Sequence, residues 1–378
     1  MKILVLAGES PVPATSGIRL RVLHLSRGLA RAGEVTVGVL GEVGAGHDEP
    51  FAMVAAGSAR SRLLSLVTAV RRPYDVAKHD APGMHRLAAG GGWDVVQAEL
   101  PYLLPAAGDA GAPVVLDAHN VESDVLRTLA EREPRRLRRT RLGWEARKTD
   151  RFERSGLRTV RAVAATSDEE AAAFERMGAR EVVVVPNGVD ASAIAFSPPG
   201  AGSRVVYAGH FGYRPNALAG LELATEVLPR LRERVPDAHV ALIGRDPGPE
   251  LQELAGEGVT VTGPVADVLP HLRAGRVTVV PLRAGGGTRL KVLEAMAAGV
   301  PVVSTPFGVA GLDIRDGETV LLGDTPAELA EAAERVIGDD ALALRLATAA
   351  RRLVERAYDW PVVVAPLLDL HLRLAGRA

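Results

Sequence analysis

Short β-branched runs alternate with segments of helical period along the whole chain, the pattern of parallel sheets with crossover helices. In the first half the runs Ile3–Ala7, Val35–Leu40, Val95–Ala98, Val114–Asp117, Ala162–Thr166 and Val182–Val185 are predicted strands. Ile18, Val22, Leu25 and Leu29 stand at i, i+4, i+7 and i+11 and predict one apolar helix face, ended by Gly33 as a C-cap. The turn formers of Val185-Pro186-Asn187-Gly188-Val189-Asp190 and the linker-like Ser197–Ser203 interrupt the alternation, which then restarts. Strands are predicted at Val205–Ala208, His239–Ile243, Val259–Thr262, Val277–Pro281 and Val302–Thr305. Helices are predicted at Pro215–Arg234, Leu290–Ala298, Pro326–Ile337 and Leu342–Ala357. The expectation is two doubly wound α/β domains of similar size, joined near residues 186–203. Such sheets bind ligands outside the carboxyl ends of their strands. The site is therefore expected in the cleft between the two domains.

Composition narrows the class. The 378 residues suit two or three domains of about 150 residues each. With 47% apolar and 24% charged residues, collagen-like, coiled-coil and disordered chains are excluded. A net charge of -1 gives no global basic field for nucleic acid. The absence of cysteine removes disulfide scaffolds and thiolate metal sites, and fits a reducing compartment. No run reaches the about 18 apolar residues of a membrane span, and Met1–Glu9 is too short for a signal peptide. A soluble, cytoplasmic protein is expected. Only Lys2, Lys78, Lys148 and Lys291 are lysines among 45 basic residues, a bias usual in GC-rich genomes. Of these, Lys291 alone stands beside a glycine loop.

That loop is the most informative segment. In Pro281–Pro301 a strand ends, Gly285, Gly286 and Gly287 allow close backbone approach, and Thr288 is placed to cap the next helix. Free N–H groups and the positive end of the helix dipole suit phosphate. Arg289 and Lys291 fall in the first turn, where cations oppose the dipole unless an anion is bound. Glu294 shares a face with Lys291, free either to hold ribose hydroxyls or to pair with that lysine. A glycine turn with a solvated ion pair is the plainer alternative.

Other loops carry weaker signals. Gly17 opens a helix after the first strand, without a G-x-G-x-x-G dinucleotide fingerprint. His119 follows a strand, where it can serve a sugar, assist proton transfer or simply be a satisfied structural histidine. Gly209, Arg214 and Pro215 repeat the logic of strand, glycine turn and helix start. Gly263 and Val265 lie in a strand-end turn able to present backbone groups to a base, and Thr305–Leu312 is a further glycine-containing loop.

Taken in order, Pro186–Asp190, Gly209–Asn216, Gly285–Pro301 and Tyr358-Asp359-Trp360 make the whole chain resemble the GT-B retaining glycosyltransferases of family 4, the group 1 glycosyl transferases. The resemblance implies two Rossmann-like doubly wound domains facing across a cleft. It implies an acceptor-binding domain over residues 1–190, a nucleotide-sugar domain over 191–358, and a tail over 359–378 whose helix, about Trp360–Leu374, crosses back. Residue by residue it implies His119, Arg289 and Lys291 as catalytic groups. Gly17, Gly209, Arg214, Gly263, Val265, Gly286, Gly287, Thr288, Leu290 and Glu294 are implied for the nucleoside-diphosphate (NDP) sugar donor, with Glu294 at the ribose. The family usually has two glutamates eight positions apart, and here the first is Gly286, which leaves the donor sugar open. A retaining transfer to a glycan, lipid-linked or small-molecule hydroxyl is implied, with no metal and the two cations in its stead. An NDP-sugar epimerase, a non-catalytic NDP-sugar-binding protein and an NAD enzyme are the competing readings.

Two basic stretches remain. Arg60, Arg62, Arg71 and Arg72 flank Leu63–Val67, and Arg135, Arg136, Arg138, Arg139 and Arg141 precede Trp144. Both read first as solvated arginine faces, with peripheral membrane contact left open.

Overall fold

The structure is a computed structural model that describes residues 1–44, 48–60, 65, 69, 72–285 and 289–377, apart from the Arg132 side chain. The chain divides into two compact units. The first comprises Met1–Asn187 and Trp360–Ala378, and the second Gly188–Gly285 and Arg289–Asp359.

The first unit is built on seven strands: β1 (Lys2–Ala7), β2 (Glu34–Val39), β3 (Ala52–Ala55), β4 (Val95–Glu99), β5 (Val114–Ala118), β6 (Ala162–Ala165) and β7 (Val182–Val184). They pair in the order β3-β2-β1-β4-β5-β6-β7, all parallel. Parallel strands covered on both faces read as continuous apolar runs, which is why β1, β4, β5 and β6 are legible in the sequence. Edge strand β3 is a short, alanine-rich apolar run that is largely exposed, and it is not among the strands the sequence predicts. Around the sheet stand α1 (Gly17–Leu29), α2 (Tyr74–His79), α3 (Pro82–Ala89), α4 (Leu104–Ala107), α5 (Glu122–Arg132), α6 (Arg136–Leu157) and α7 (Asp168–Met177).

Helix α1 corrects two expectations. Ser16 caps it by accepting from Arg19 N at 3.3 Å, and Val22, Leu25 and Leu29 are buried. Ile18, at the start of the apolar series, is instead 42% exposed, while Arg21 is buried among the apolar residues. The helix ends at Leu29 with Ala30 as its C-cap, before Gly33 is reached.

The C-terminal helix Trp360–Leu374 belongs to the first unit and packs on α1. Trp360 stacks on His24 with ring centres 4.7 Å apart, and a side chain at Gly28 would collide with Val364. Val363, Val364, Leu367 and Leu370 are buried, worth about 1.5–3 kcal/mol apiece.

The second unit holds β8 (Arg204–Ala208), β9 (His239–Ile243), β10 (Val259–Val261), β11 (Val277–Val280), β12 (Val302–Ser304) and β13 (Leu321–Leu322). Their order is β10-β9-β8-β11-β12-β13, again all parallel. The helix read as Pro215–Arg234 is α8 (Arg214–Glu222), a π-turn over Leu223–Val227, and α9 (Leu228–Arg232). There follow α10 (Pro249–Gln252), α11 (Leu269–Arg273), α12 (Leu290–Ala298), α13 (Pro326–Gly338) and α14 (Asp340–Leu353). Thr325 and Glu328 form a capping box at the start of α13.

The segment after the interruption is tied down within this unit. Val189 N donates to Tyr358 O at 2.8 Å, and Asp359 accepts from Ala191 N at 3.0 Å. Arg351 donates to the carbonyls of Ala191, Ile194 and Ala297. Two segments that carried the family resemblance, Pro186–Asp190 and Tyr358-Asp359-Trp360, thus meet through Val189, Tyr358 and Asp359.

Both sheets have the doubly wound order in which the strand sequence reverses between two neighbours, β1 and β4 in one and β8 and β11 in the other. Ligands of such sheets sit at the carboxyl ends beside that reversal. No helix among the described residues is long and apolar enough to cross a membrane.

Candidate functional site

In the second unit, three chain segments converge beside the β8/β11 reversal. Strand β8 ends in Tyr207 and Ala208, followed by Gly209, while α8 brings Asn216 and α12 brings Lys291 and Glu294. Lys291 Nζ donates to Asn216 Oδ1 at 2.7 Å and to the Tyr207 hydroxyl at 2.9 Å. Asn216 Oδ1 also accepts from the Tyr207 hydroxyl at 3.1 Å, and Asn216 Nδ2 donates to His210 O at 2.9 Å. The ammonium lies 4.3 Å from the centre of the Tyr207 ring. Both partner residues, Asn216 and Tyr207, are neutral. Burial, with the Arg289 charge nearby, therefore lowers the Lys291 ammonium to about 7. Burial also pushes Glu294 up to about 7, against the pull of Lys291.

Arg289 stands at the N-cap position of α12, buried. It donates to Phe307 O at 3.0 Å and lies 4.8 Å over the Phe307 ring. This end of α12 thus gathers two cations at a helix N-terminus, an arrangement suited to an anion. Gly209 is part of the construction, since a Cβ there would come within 3.0 Å of Lys291 Nζ. Gly244, at φ +143°, lies against the Gly209 carbonyl, where a side chain would overlap the oxygen.

In the first unit, the carboxyl ends of β4 and β5 carry a buried charged set. Arg21 grips Asp117 with two hydrogen bonds, 2.8 Å from Nε and 2.5 Å from the terminal nitrogen. It also donates to Pro186 O at 3.0 Å and Asn187 Oδ1 at 3.1 Å. His119 Nε2 lies 3.2 Å from Glu99 and 3.6 Å from Asp117, and Gln97 donates to the other Glu99 oxygen at 2.6 Å.

Burial would lower the His119 imidazolium, but the Asp117 and Glu99 carboxylates outweigh it and raise it to about 9. Burial would raise Asp117, yet Arg21 and His119 hold it well below the usual carboxylate range. Glu99, buried beside the Asp117 charge, is pushed up. Glu99, Asp117 and His119 have the ligand types of a small cation site, with candidate ligand atoms within 4.8 Å of one another. Arg21 already takes both Asp117 oxygens, so a positive charge balances this set.

The remaining residues singled out in the sequence fall as follows. Gly17 is the first residue of α1, and Arg214 is the exposed first residue of α8. Gly263 follows β10 at φ +69°, Val265 packs partly against the core, and Leu290 opens α12. Gly286, Gly287 and Thr288 lie outside the described residues, as does most of the stretch from Arg62 to Arg71. Arg60 and Arg72 both reach Asp80.

Lys148, which stands beside no glycine loop, has a buried setting of its own. It donates to Ala69 O at 2.6 Å and Arg72 O at 3.0 Å, with Glu145 at 2.7 Å. Arg136, Arg138, Arg139 and Arg141 are exposed on α6, along with Leu137 and Trp144.

Sequence reasoning passed over Arg21 and Glu99 as site residues. Their signal was present as polar residues inside apolar patterns, Arg21 on the buried face of α1 and Gln97 and Glu99 in a wholly buried strand.

Comparison with known proteins matches both halves. Residues 16–188 match the family described as Glycosyl transferase 4-like domain, and residues 202–339 match Glycosyl transferases group 1. The phosphatidyl-myo-inositol mannosyltransferase of Mycobacterium leprae is 29% identical over 182 residues, 46% of this chain and 47% of that protein. The GDP-mannose-dependent alpha-(1-6)-phosphatidylinositol monomannoside mannosyltransferase of Mycolicibacterium smegmatis is 33% identical over 174 residues, 42% of this chain and 45% of that protein. The matched part of the chain spans about half the length of these curated relatives. Among solved structures, sucrose-phosphate synthase from Thermosynechococcus elongatus superposes with TM-score 0.74 at 20% identity, covering all of both chains. Anabaena HepE in complex with UDP-glucose gives 0.67 at 18% identity over 99% of each chain. At such identities these two likenesses speak for the fold.

Proposed function

Because the chain belongs to the group 1 glycosyl transferases, of family 4 and GT-B fold, we propose that it moves a sugar, with retention at the anomeric carbon, from an NDP-sugar to a hydroxyl acceptor. The observation that carries this reading is Lys291. A lysine held by a tyrosine hydroxyl and an amide, lowered to about 7 by burial near a helix N-terminus, would regain its charge beside a bound anion. The donor diphosphate is that anion.

In the reaction, the bond from the anomeric carbon to the diphosphate oxygen breaks with its electron pair remaining on the diphosphate. The acceptor oxygen bonds to the same carbon from the same face, and its proton passes to the departing diphosphate. Arg289, Lys291 and the N–H groups opening α12 stabilise the growing charge, as preorganised donors do. They supply the positive charge that a metal ion supplies in other enzymes. Glu294 accepts from ribose hydroxyls. His119, charged at neutral pH, donates to a sugar hydroxyl and is held in place by Glu99 and Asp117. Both relatives named above are mannosyltransferases, which makes mannose the first sugar to try.

Thermal-shift titration with GDP-mannose, UDP-glucose and their free nucleotides tests donor binding. NMR of the product then reads the anomeric configuration. An axial donor giving an axial product supports the proposal, an inverted product refutes retention, and donor binding without transfer to any hydroxyl marks a binding protein.

A further inference from the structure

Next to His119, the carboxyl ends of β1, β4 and β5 carry a second group that the donor reading leaves unused. After β1, the ring of His79 packs beside Gly8. After β4, Leu100 adopts φ 74°, a conformation rare for a leucine and costly unless the surroundings enforce it. The turn that follows presents Tyr102, whose ring stacks on His79 with centres 4.9 Å apart and planes 19° from parallel. After β5, Asn120 precedes helix α5 and Glu122 opens it, with the Asn120 side chain hydrogen-bonded to Glu122. Glu153 accepts from the backbone N–H groups of Glu122 at 2.8 Å and Ser123 at 3.3 Å, so the Glu122 carboxyl is spared from capping its own helix.

These side chains sense one another. Burial raises Tyr102, and the charges of Glu122, Asp75 and Glu153 add to it. Burial and Glu153 raise Glu122 to about 7, against the opposing charge of His119. His79, Tyr102, Asn120 and Glu122 each keep part of their surface open. The group is therefore an aromatic wall with hydrogen-bonding side chains, set at the strand reversal where ligands of doubly wound sheets bind.

We infer that the His79–Tyr102 stack, Asn120 and Glu122 form the acceptor subsite, and that it takes an uncharged, hydroxyl-rich ring. The part-exposed rings of His79 and Tyr102 pack against the ring's C–H face, while Glu122 and Asn120 hydrogen-bond its hydroxyls. Among the described residues, Asp75, Glu122 and Glu153 outnumber Lys78 and His119 in the charges acting here, a balance that disfavours a phosphate. The assignment rests on the glycosyltransferase reading above and gives that reading its acceptor class.

The test uses the full chain, with methyl α-mannoside and mannose 6-phosphate as probes, by saturation-transfer NMR with GDP present. The wild type is expected to bind methyl α-mannoside in preference to the phosphate. Glu122→Gln and Tyr102→Ala are each expected to weaken methyl α-mannoside binding about tenfold or more, with the GDP thermal shift retained. Should Tyr102→Ala fail to fold, His79→Gln replaces it. Unchanged affinity in folded variants, preference for the phosphate, or no methyl α-mannoside binding by the wild type overturns the inference. A wild type that binds the mannoside but shows no shift with GDP or UDP refutes the donor reading instead.

Discussion

The ammonium of Lys291 stands 2.9 Å from the Tyr207 hydroxyl and 4.3 Å from the centre of the same ring. Tyr207 thereby fixes the lysine, and no carboxylate among the described residues forms an ion pair with it. With the ammonium lowered from 10.5 to about 7, most of it is neutral at pH 8. A bound diphosphate favours the charged form, so binding must take up a proton. Calorimetry of GDP or UDP at pH 8, in buffers of different ionisation enthalpy, is expected to show uptake approaching one proton per nucleotide. At pH 6, where the lysine already carries its charge, this uptake falls toward zero. Lys291→Met is expected to abolish the pH 8 uptake.

His119 makes a stability prediction of the opposite kind. Its folded value, about 9, exceeds its ordinary 6.5. The stabilisation by Glu99 and Asp117 is therefore complete below pH 6.5 and is lost as pH rises through about 9. Urea midpoints measured from pH 6.5 to 9.5 should decline more steeply for the wild type than for His119→Gln. Equal slopes would place the proton elsewhere.

Arg21 and Asp117 are both fully buried, and each is the other's principal charge partner. Asp117→Asn leaves the guanidinium without its counter-charge. Loss of one member of a buried pair costs about 3–5 kcal/mol. Chemical denaturation is expected to read a loss of that order, and a change below about 1 kcal/mol would fit an exposed pair instead.

Gly209 and Gly244 separate function from folding. Gly209→Ala places a methyl 3.0 Å from Lys291 Nζ and 3.2 Å from Asn216 Cγ, both in side chains able to shift. It is expected to weaken GDP or UDP binding about tenfold with little change in unfolding temperature. Gly244→Ala meets a carbonyl oxygen at φ +143° and cannot relax that way. Its backbone strain alone is expected to cost about 1–3 kcal/mol, read as a lowered unfolding temperature.

The fold was legible wherever strands are buried on both faces. Ile3–Ala7, Val114–Asp117 and His239–Ile243 stand within about a residue of the observed strands. It was not legible at β3, whose residues face solvent, nor at β13, two residues long. On the site, glycine and charge in one short segment pointed to Lys291 and Glu294, because the phosphate logic of a helix N-terminus is local. Tyr207 and Asn216 reach Lys291 across 84 and 75 positions, a relationship that spacing does not carry. The same holds for Arg21 and Asp117, 96 positions apart. Periodicity placed a helix face around Arg21 and had no means of recognising that its buried charge had a partner on β5.

The central claim is that Lys291 neutralises the diphosphate of an NDP-sugar during transfer, and the rate of sugar transfer by Lys291→Met tests it most directly. With GDP-mannose and a hydroxyl acceptor that the wild type uses, the variant is expected to release GDP about a hundredfold or more slowly, at an unfolding temperature close to that of the wild type. Release at the wild-type rate by folded Lys291→Met would contradict the account.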